Sequence, residues 1–149
     1  MVIVKKITYQ DIVEFQLPDH WVVEELDGAG LFYEHGDDVN TLRLELLVVK
    51  SPKPVDENTS AEMLAVLSKG GSKIVSLDNG KACKCYLEEI VEQGQKLLIH
   101  YWYVANAVKP NIGKLATFSF TTLSKNREYN ETLQIIGMLD KEIRACKFL

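Results

Sequence analysis

The sequence predicts an α+β fold, with a central mainly antiparallel β-sheet flanked by helices as an α/β/α sandwich. Three observations carry this. Short runs of alternating apolar and polar residues are separated by turn chemistry such as Pro18-Asp19, Asp78-Asn79-Gly80 and Lys109-Pro110-Asn111. Helical spacing of apolar residues appears in a short segment from Thr59 and a long one from Arg127 to Lys147. Segments 42–49 and 98–108 are apolar at both alternating sets, as expected of strands covered on two faces.

Taken in order, Ile12 to Leu17 alternates as a strand that Pro18 stops, and Trp21 with Val23 begins a second one. Gly28-Ala29-Gly30 reads as a turn into a strand over 31–35. The loop 36–40 precedes a long apolar strand from Thr41 to Val49, which Ser51-Pro52-Lys53-Pro54 ends. Thr59 to Glu62 has the spacing of a capping box, and Gly70-Gly71 closes the helix that follows. A run of hairpins comes next: 74–77, a type I′ turn at Asn79-Gly80, 83–91, a turn at 92–95, 96–107 and 116–122. The terminal helix over 127–147 carries Leu133, Ile136, Leu139 and Ile143 on one face, with Ser124 or Asn126 as candidate caps. No linker, repeat or low-complexity tract divides the chain, so residues 1–149 read as one domain.

Composition narrows the function classes. Hydrophobic residues make up 46% and charged residues 26%, with a formal charge of −4, as in an ordinary globular protein. Without a basic stripe, nucleic acid is not an expected partner. No run approaches the roughly 20 apolar residues of a membrane helix, and the N-terminus lacks the order of a signal peptide, so the expected location is cytoplasmic. The three cysteines are an odd number and argue against a disulfide framework. Cys83 and Cys85 share a strand face and read as small buried hydrophobes; zinc would need further ligands that the spacing does not supply.

The chemical motifs are sparse. Gly28-Ala29-Gly30 runs into a strand and Gly70-Gly71 follows a helix, so neither cradles phosphate. Glu88 and Glu89 point to opposite faces and cannot share a proton. His20 falls in a surface turn. His35 with Asp37 and Asp38 forms a weak candidate metal or ligand site, and His100 is a second weak candidate, read as a satisfied half-buried group beside Trp102. No catalytic residue, resident metal or cofactor is expected. Tyr101 and Tyr103 face one way while His100 and Trp102 face the other, so the aromatic run is two surfaces. Tyr33, Tyr101 and Tyr103 are the candidate partner-binding residues, because aromatic side chains bury large area at modest ordering cost.

The order of features resembles the Mog1/PsbP-like family, including its small uncharacterised bacterial members. The resemblance lies in Phe15-Gln-Leu-Pro-Asp-His-Trp21, the long 41–50 strand, the 59–69 helix, the Asn79-Gly80 hairpin, Tyr101-Trp-Tyr103, Ala116-Thr-Phe-Ser-Phe-Thr121 and the terminal helix. It implies a central antiparallel sheet between helices and a role in binding or accessory work without catalysis. One branch of the family engages a small nuclear GTPase and another supports the oxygen-evolving photosystem; a similar fold serves small immunity proteins that neutralise toxins. The expectation is a non-enzymatic protein-interaction domain with a protein partner, no membrane partner, and a homodimer among the arrangements allowed. The alternative is a small metal- or ligand-dependent enzyme using a histidine/carboxylate site.

Overall fold

The structure, a computed structural model, describes residues 3–34, 36, 40–67 and 73–149. Its strands are β1 (Val4–Tyr9), β2 (Val13–Pro18), β3 (Val22–Leu26), β4 (Ala29–Tyr33), β5 (Thr41–Lys50), β6 (Ile74–Ser76), β7 (Lys81–Glu92), β8 (Gln95–Val108), β9 (Ile112–Leu123) and β10 (Lys147–Phe148). Two α-helices, α1 (Thr59–Ala65) and α2 (Asn130–Arg144), and two single-turn 3₁₀ segments, Asp78–Gly80 and Ser124–Asn126, complete the described elements. β3-β4-β5-β9-β8-β7-β6 form a seven-stranded sheet, and β1-β2-β10 a separate three-stranded one. Every described pairing is antiparallel.

Turn chemistry sets this meander. Asp27-Gly28, Asn79-Gly80 and Gln93-Gly94 each place two successive residues at positive φ, between 51° and 79°, as tight right-twisting hairpin turns require. The Asn79-Gly80 expectation therefore holds. The first turn differs from expectation: it lies at Asp27-Gly28, and Ala29 and Gly30 already belong to β4. Gly30 is needed for another reason. A Cβ there would come within 3.0 Å of the Tyr9 and Phe32 rings, so its absence lets the small sheet close on β4.

The two faces of the large sheet are covered differently. On one face lie the small sheet and α2, and between them Phe15, Phe32, Leu42, Leu44, Trp102, Val104, Phe118, Phe120, Leu139 and Ile143 make the main core. Phe15 meets Phe32 and Phe118 edge-on, with centroids 5.4 and 5.3 Å apart. On the other face, α1 packs Leu64 onto Ala82, Tyr103 and Ala105. The two-sided reading is thus correct for the middle of β8. It fails for β5, where Leu42 and Leu44 are buried but Leu47, Val48 and Val49 are exposed.

Both helix termini also depart from the sequence expectation. Thr59 makes no capping box: its Oγ1 accepts the Asp56 amide at 2.9 Å, while Ser60 Oγ donates to the Gly80 carbonyl and accepts the Ala107 amide. Ser60 thus ties α1 to the sheet. The terminal helix spans Asn130–Arg144 rather than 127–147, without a side-chain cap, and Ser124 Oγ donates instead to Glu89. The last residues leave the helix because β2 offers an unpaired edge, which Lys147 and Phe148 fill opposite Glu14 and Val13. The Gly70-Gly71 helix stop lies outside the described residues.

A buried cation closes α2. Lys81, 7% exposed, donates through Nζ to the Arg144 carbonyl at 3.1 Å and to the Cys146 carbonyl. These are orphan acceptors at a helix C-terminus, where positive charge is also favoured by the helix dipole. Lys81→Met should cost about 2–3 kcal/mol in urea unfolding, the usual worth of hydrogen bonds to a charged group, while exposed Lys96→Met should change stability by less than about 0.5 kcal/mol. Equal effects of the two substitutions would contradict this role.

Candidate functional site

Strand β8 divides the molecule's two candidate surfaces. Its register with β7 places Cys83, Cys85 and Leu87 opposite Val104, Trp102 and His100 on the α2 face. The same register sets Lys84 and Tyr86 opposite Tyr103 and Tyr101 on the α1 face.

On the α2 face, a cleft of about 700 Å³ opens between the helix and the β7–β8 hairpin. Cys85, His100 and Trp102 lie on its sheet side, Ile136, Asp140 and Arg144 on its helix side. The polar groups form one chain. Trp102 Nε1 donates to Asp140 Oδ1 at 3.0 Å, Arg144 Nε donates to the same oxygen at 2.9 Å, and Arg144 Nη2 donates to Cys85 Sγ at 3.3 Å. Helical spacing sets Asp140 one turn before Arg144, which is why both reach the same point of the sheet. The Cys85 thiol is shifted below its ordinary value, first by its contact with Cys83 and then by the positive charge of Arg144, against the cost of burial. Cys83 is shifted in the opposite sense by the same contact and by burial.

His100 stacks on Trp102 with centroids 6.1 Å apart. Its Nε2 is sealed from solvent and lacks a hydrogen-bond partner among the described residues, which corrects the expectation of a satisfied histidine. Burial first, and the positive charge of Arg127 second, hold its pKa below the ordinary value.

On the α1 face, Tyr86, Tyr101 and Tyr103 form a row. Tyr101 and Tyr103 stack at 5.9 Å with 6° between planes, and Tyr86 lies 5.8 Å from Tyr101. Tyr103 is buried under α1, whereas Tyr101 and Tyr86 are half-buried. Burial, then the Glu88 carboxylate, raises the pKa of Tyr101. Beyond Tyr101 the register continues through Ser119 and Arg43 to Leu31 on the same face. Tyr33 lies further along β4 on this face, its hydroxyl donating to Glu24 at 2.5 Å. Tyr33 and Tyr101 are thus separated by β5 and β9, roughly 14 Å across the sheet at the usual strand spacing, with a further offset of two residues along the strands.

The structure therefore brings Tyr101 and Tyr103 together and sets Tyr33 apart on the same face. His100 belongs to the opposite cleft, and His35, Asp37 and Asp38 lie outside the described residues. His20 is exposed in its turn beside Glu34, at 3.2 Å. Sequence reasoning missed Asp140 and Arg144. Their i,i+4 spacing on the terminal helix was a usable signal, but nothing local pointed it at Cys85.

No family model matches the sequence, and no curated protein does. Solved structures do match in three dimensions, and they define the architecture as a Mog1/PsbP-like fold. A crystal structure from Bacteroides thetaiotaomicron aligns with TM-score 0.61 and 16% identity over 97% of this chain; the chain spans about half, 48%, of that protein. LpqN, involved in cell envelope biogenesis of Mycobacterium tuberculosis, aligns with TM-score 0.60 and 10% identity over 99% of this chain and 91% of its own. A Mog1 point mutant aligns with TM-score 0.51 and 10% identity over 97% and 95%. At these identities the likeness is one of fold.

The buried imidazole has a pH consequence. With its folded-state pKa below the unfolded value of about 6.5, the unfolded chain takes up a proton first as pH falls, and stability drops below about pH 6.5. Proton NMR should give His100 a midpoint below about 6.5, and His100→Phe should lose less stability than the parent between about pH 7 and pH 5. A midpoint at or above the unfolded value would contradict the burial account.

Proposed function

We propose that this domain is a non-catalytic binding module whose protein partner docks on the open part of the α1 face, across Tyr101 and Tyr33, with Tyr103 supporting Tyr101 from behind. One observation carries the reading: the stacked tyrosines begin beneath α1 and continue onto a sheet face that no other described element covers. Tyr101 and Tyr33 flank polar Ser119 and Arg43, and tyrosine and arginine are both enriched at protein interfaces. Tyrosine commits large area while its two side-chain torsions cost little to order.

The charge on this face selects the partner. The register brings Glu24, Glu45 and Glu88 to it, and Arg43 is bound to Glu45 at 2.7 Å. A basic surface is the complement, with arginine planes suited to the tyrosine rings and to the carboxylates. The finer form of the proposal is an immunity-type role, in which the domain neutralises a cationic toxin by occluding its surface. A cytoplasmic setting is part of this reading and agrees with three free thiols. The similarity to LpqN and Mog1 supplies the fold and not the partner.

The test begins with crosslinked capture and continues with the purified basic partner. Tyr101→Ala should weaken binding by at least about tenfold, as expected of a central aromatic anchor, and Glu88→Gln should lessen its dependence on salt. Hydrogen-exchange protection should fall on β4, β5, β9 and the Tyr101 segment of β8. A footprint on α2 or the small sheet, or a self-associating dimer through this face with no basic partner, would sink the assignment.

A further inference from the structure

We propose that the cleft between α2 and the β7–β8 hairpin is a covalent capture site, in which Cys85 adds to apolar α,β-unsaturated carbonyl compounds. The site lies on the opposite face of β8 from the tyrosine row and does not depend on the binding role of that row.

Three features converge there. The space is an open cleft of about 700 Å³, in the size range of small-ligand sites, and Leu87, Trp102, Leu133 and Ile136 give it apolar walls for a hydrocarbon body. Leu87 and Leu133 are also exposed, so the apolar lining extends to the mouth. Gly137 faces the same space from α2, and a Cβ there would meet nothing within 4 Å. The nucleophile is then placed by the Trp102–Asp140–Arg144 chain, which ends on Cys85 Sγ at 3.3 Å. Finally, the other two thiols are excluded: Cys83 is 1% exposed and Cys146 is 0% exposed. Burial also holds the Cys146 thiol up at about 11, away from the thiolate form. Cys85 is thus the thiol with both access and activation.

The chemistry balances without an oxidant or metal. Cys85 loses its proton to solvent, and a sulfur lone pair forms a bond to the β-carbon of the electrophile. The C=C π pair shifts to the α-carbon and carbonyl oxygen as an enolate, and the α-carbon then takes a proton from water. The net change is addition of S–H across C=C. Arg144 contributes twice, because a guanidinium has five N–H donors and its bonds to Asp140 and Cys85 use two of its nitrogens. Its positive charge favours the thiolate before addition and the enolate oxygen during it.

Two electrophiles separate a built site from a merely reactive thiol: trans-2-nonenal, with a long apolar body, and acrylamide, with almost none. Intact-protein mass spectrometry of the folded chain should show a single adduct, mapped to Cys85 and absent in Cys85→Ser. Relative to glutathione, nonenal should gain at least tenfold more than acrylamide does. The rate should rise with pH through a midpoint below that of an ordinary cysteine thiol, and Arg144→Gln should move that midpoint upward and slow addition at neutral pH. Gly137→Leu, which fills the cleft while improving helix propensity, should block nonenal and spare acrylamide. Adducts on Cys83 or Cys146, a nonenal gain no larger than acrylamide's, or indifference to both Arg144→Gln and Gly137→Leu would overturn the proposal.

Discussion

Burial of β8 on both faces is the constraint around which this fold is arranged. Over Trp102–Ala105 each residue is buried, Trp102 and Val104 toward α2 and the small sheet, Tyr103 and Ala105 toward α1. β8 also pairs along its length with β7 on one side and β9 on the other, so its backbone groups are satisfied within the sheet. Such a strand cannot slip by one residue without exchanging two different cores, which fixes its register. The helices then have defined places: α1 on Ala82, Tyr103 and Ala105, α2 anchored by Lys81 beneath its C-terminus.

Fixing β8 creates two sites of different character from one stretch of sequence. Toward α2 the strand contributes a histidine and a tryptophan to an open cleft where a cysteine, an aspartate and an arginine meet. Toward α1 it contributes tyrosines to a broad face that the short helix covers only in part. The first is suited to a small ligand and the second to a macromolecular surface. The alternation of side chains in a strand is enough to separate them.

Much of the architecture was legible locally, and the misses have physical causes. Positive-φ turn pairs such as Asn79-Gly80 and the two-sided apolar run of β8 specify the hairpin order without tertiary information. Leu47, Val48 and Val49 misled because apolar side chains in a strand do not reveal whether anything lies over them. Lys147 continued a helical pattern, yet the free edge of β2 claimed it together with Phe148. For the candidate sites, the separation of Tyr101 and Tyr103 from His100 and Trp102 follows from strand periodicity alone. The approach of Arg144 to Cys85 does not, because it joins residues 59 positions apart. The role of Lys81 was hidden for the same reason: a lysine after a turn reads as solvated until the helix end above it is known.

Native-state hydrogen exchange measured amide by amide tests the primacy of β8 most directly. If the strand is the shared wall of both cores, the amides of Trp102–Ala105 and of Ala116–Phe120 beside them should exchange slowest. They should open only with global unfolding, at matching free energies, while α1 and the β1–β2 hairpin open at lower cost. Exchange at Trp102–Ala105 that is faster than in β1–β2 or α1 would contradict the account.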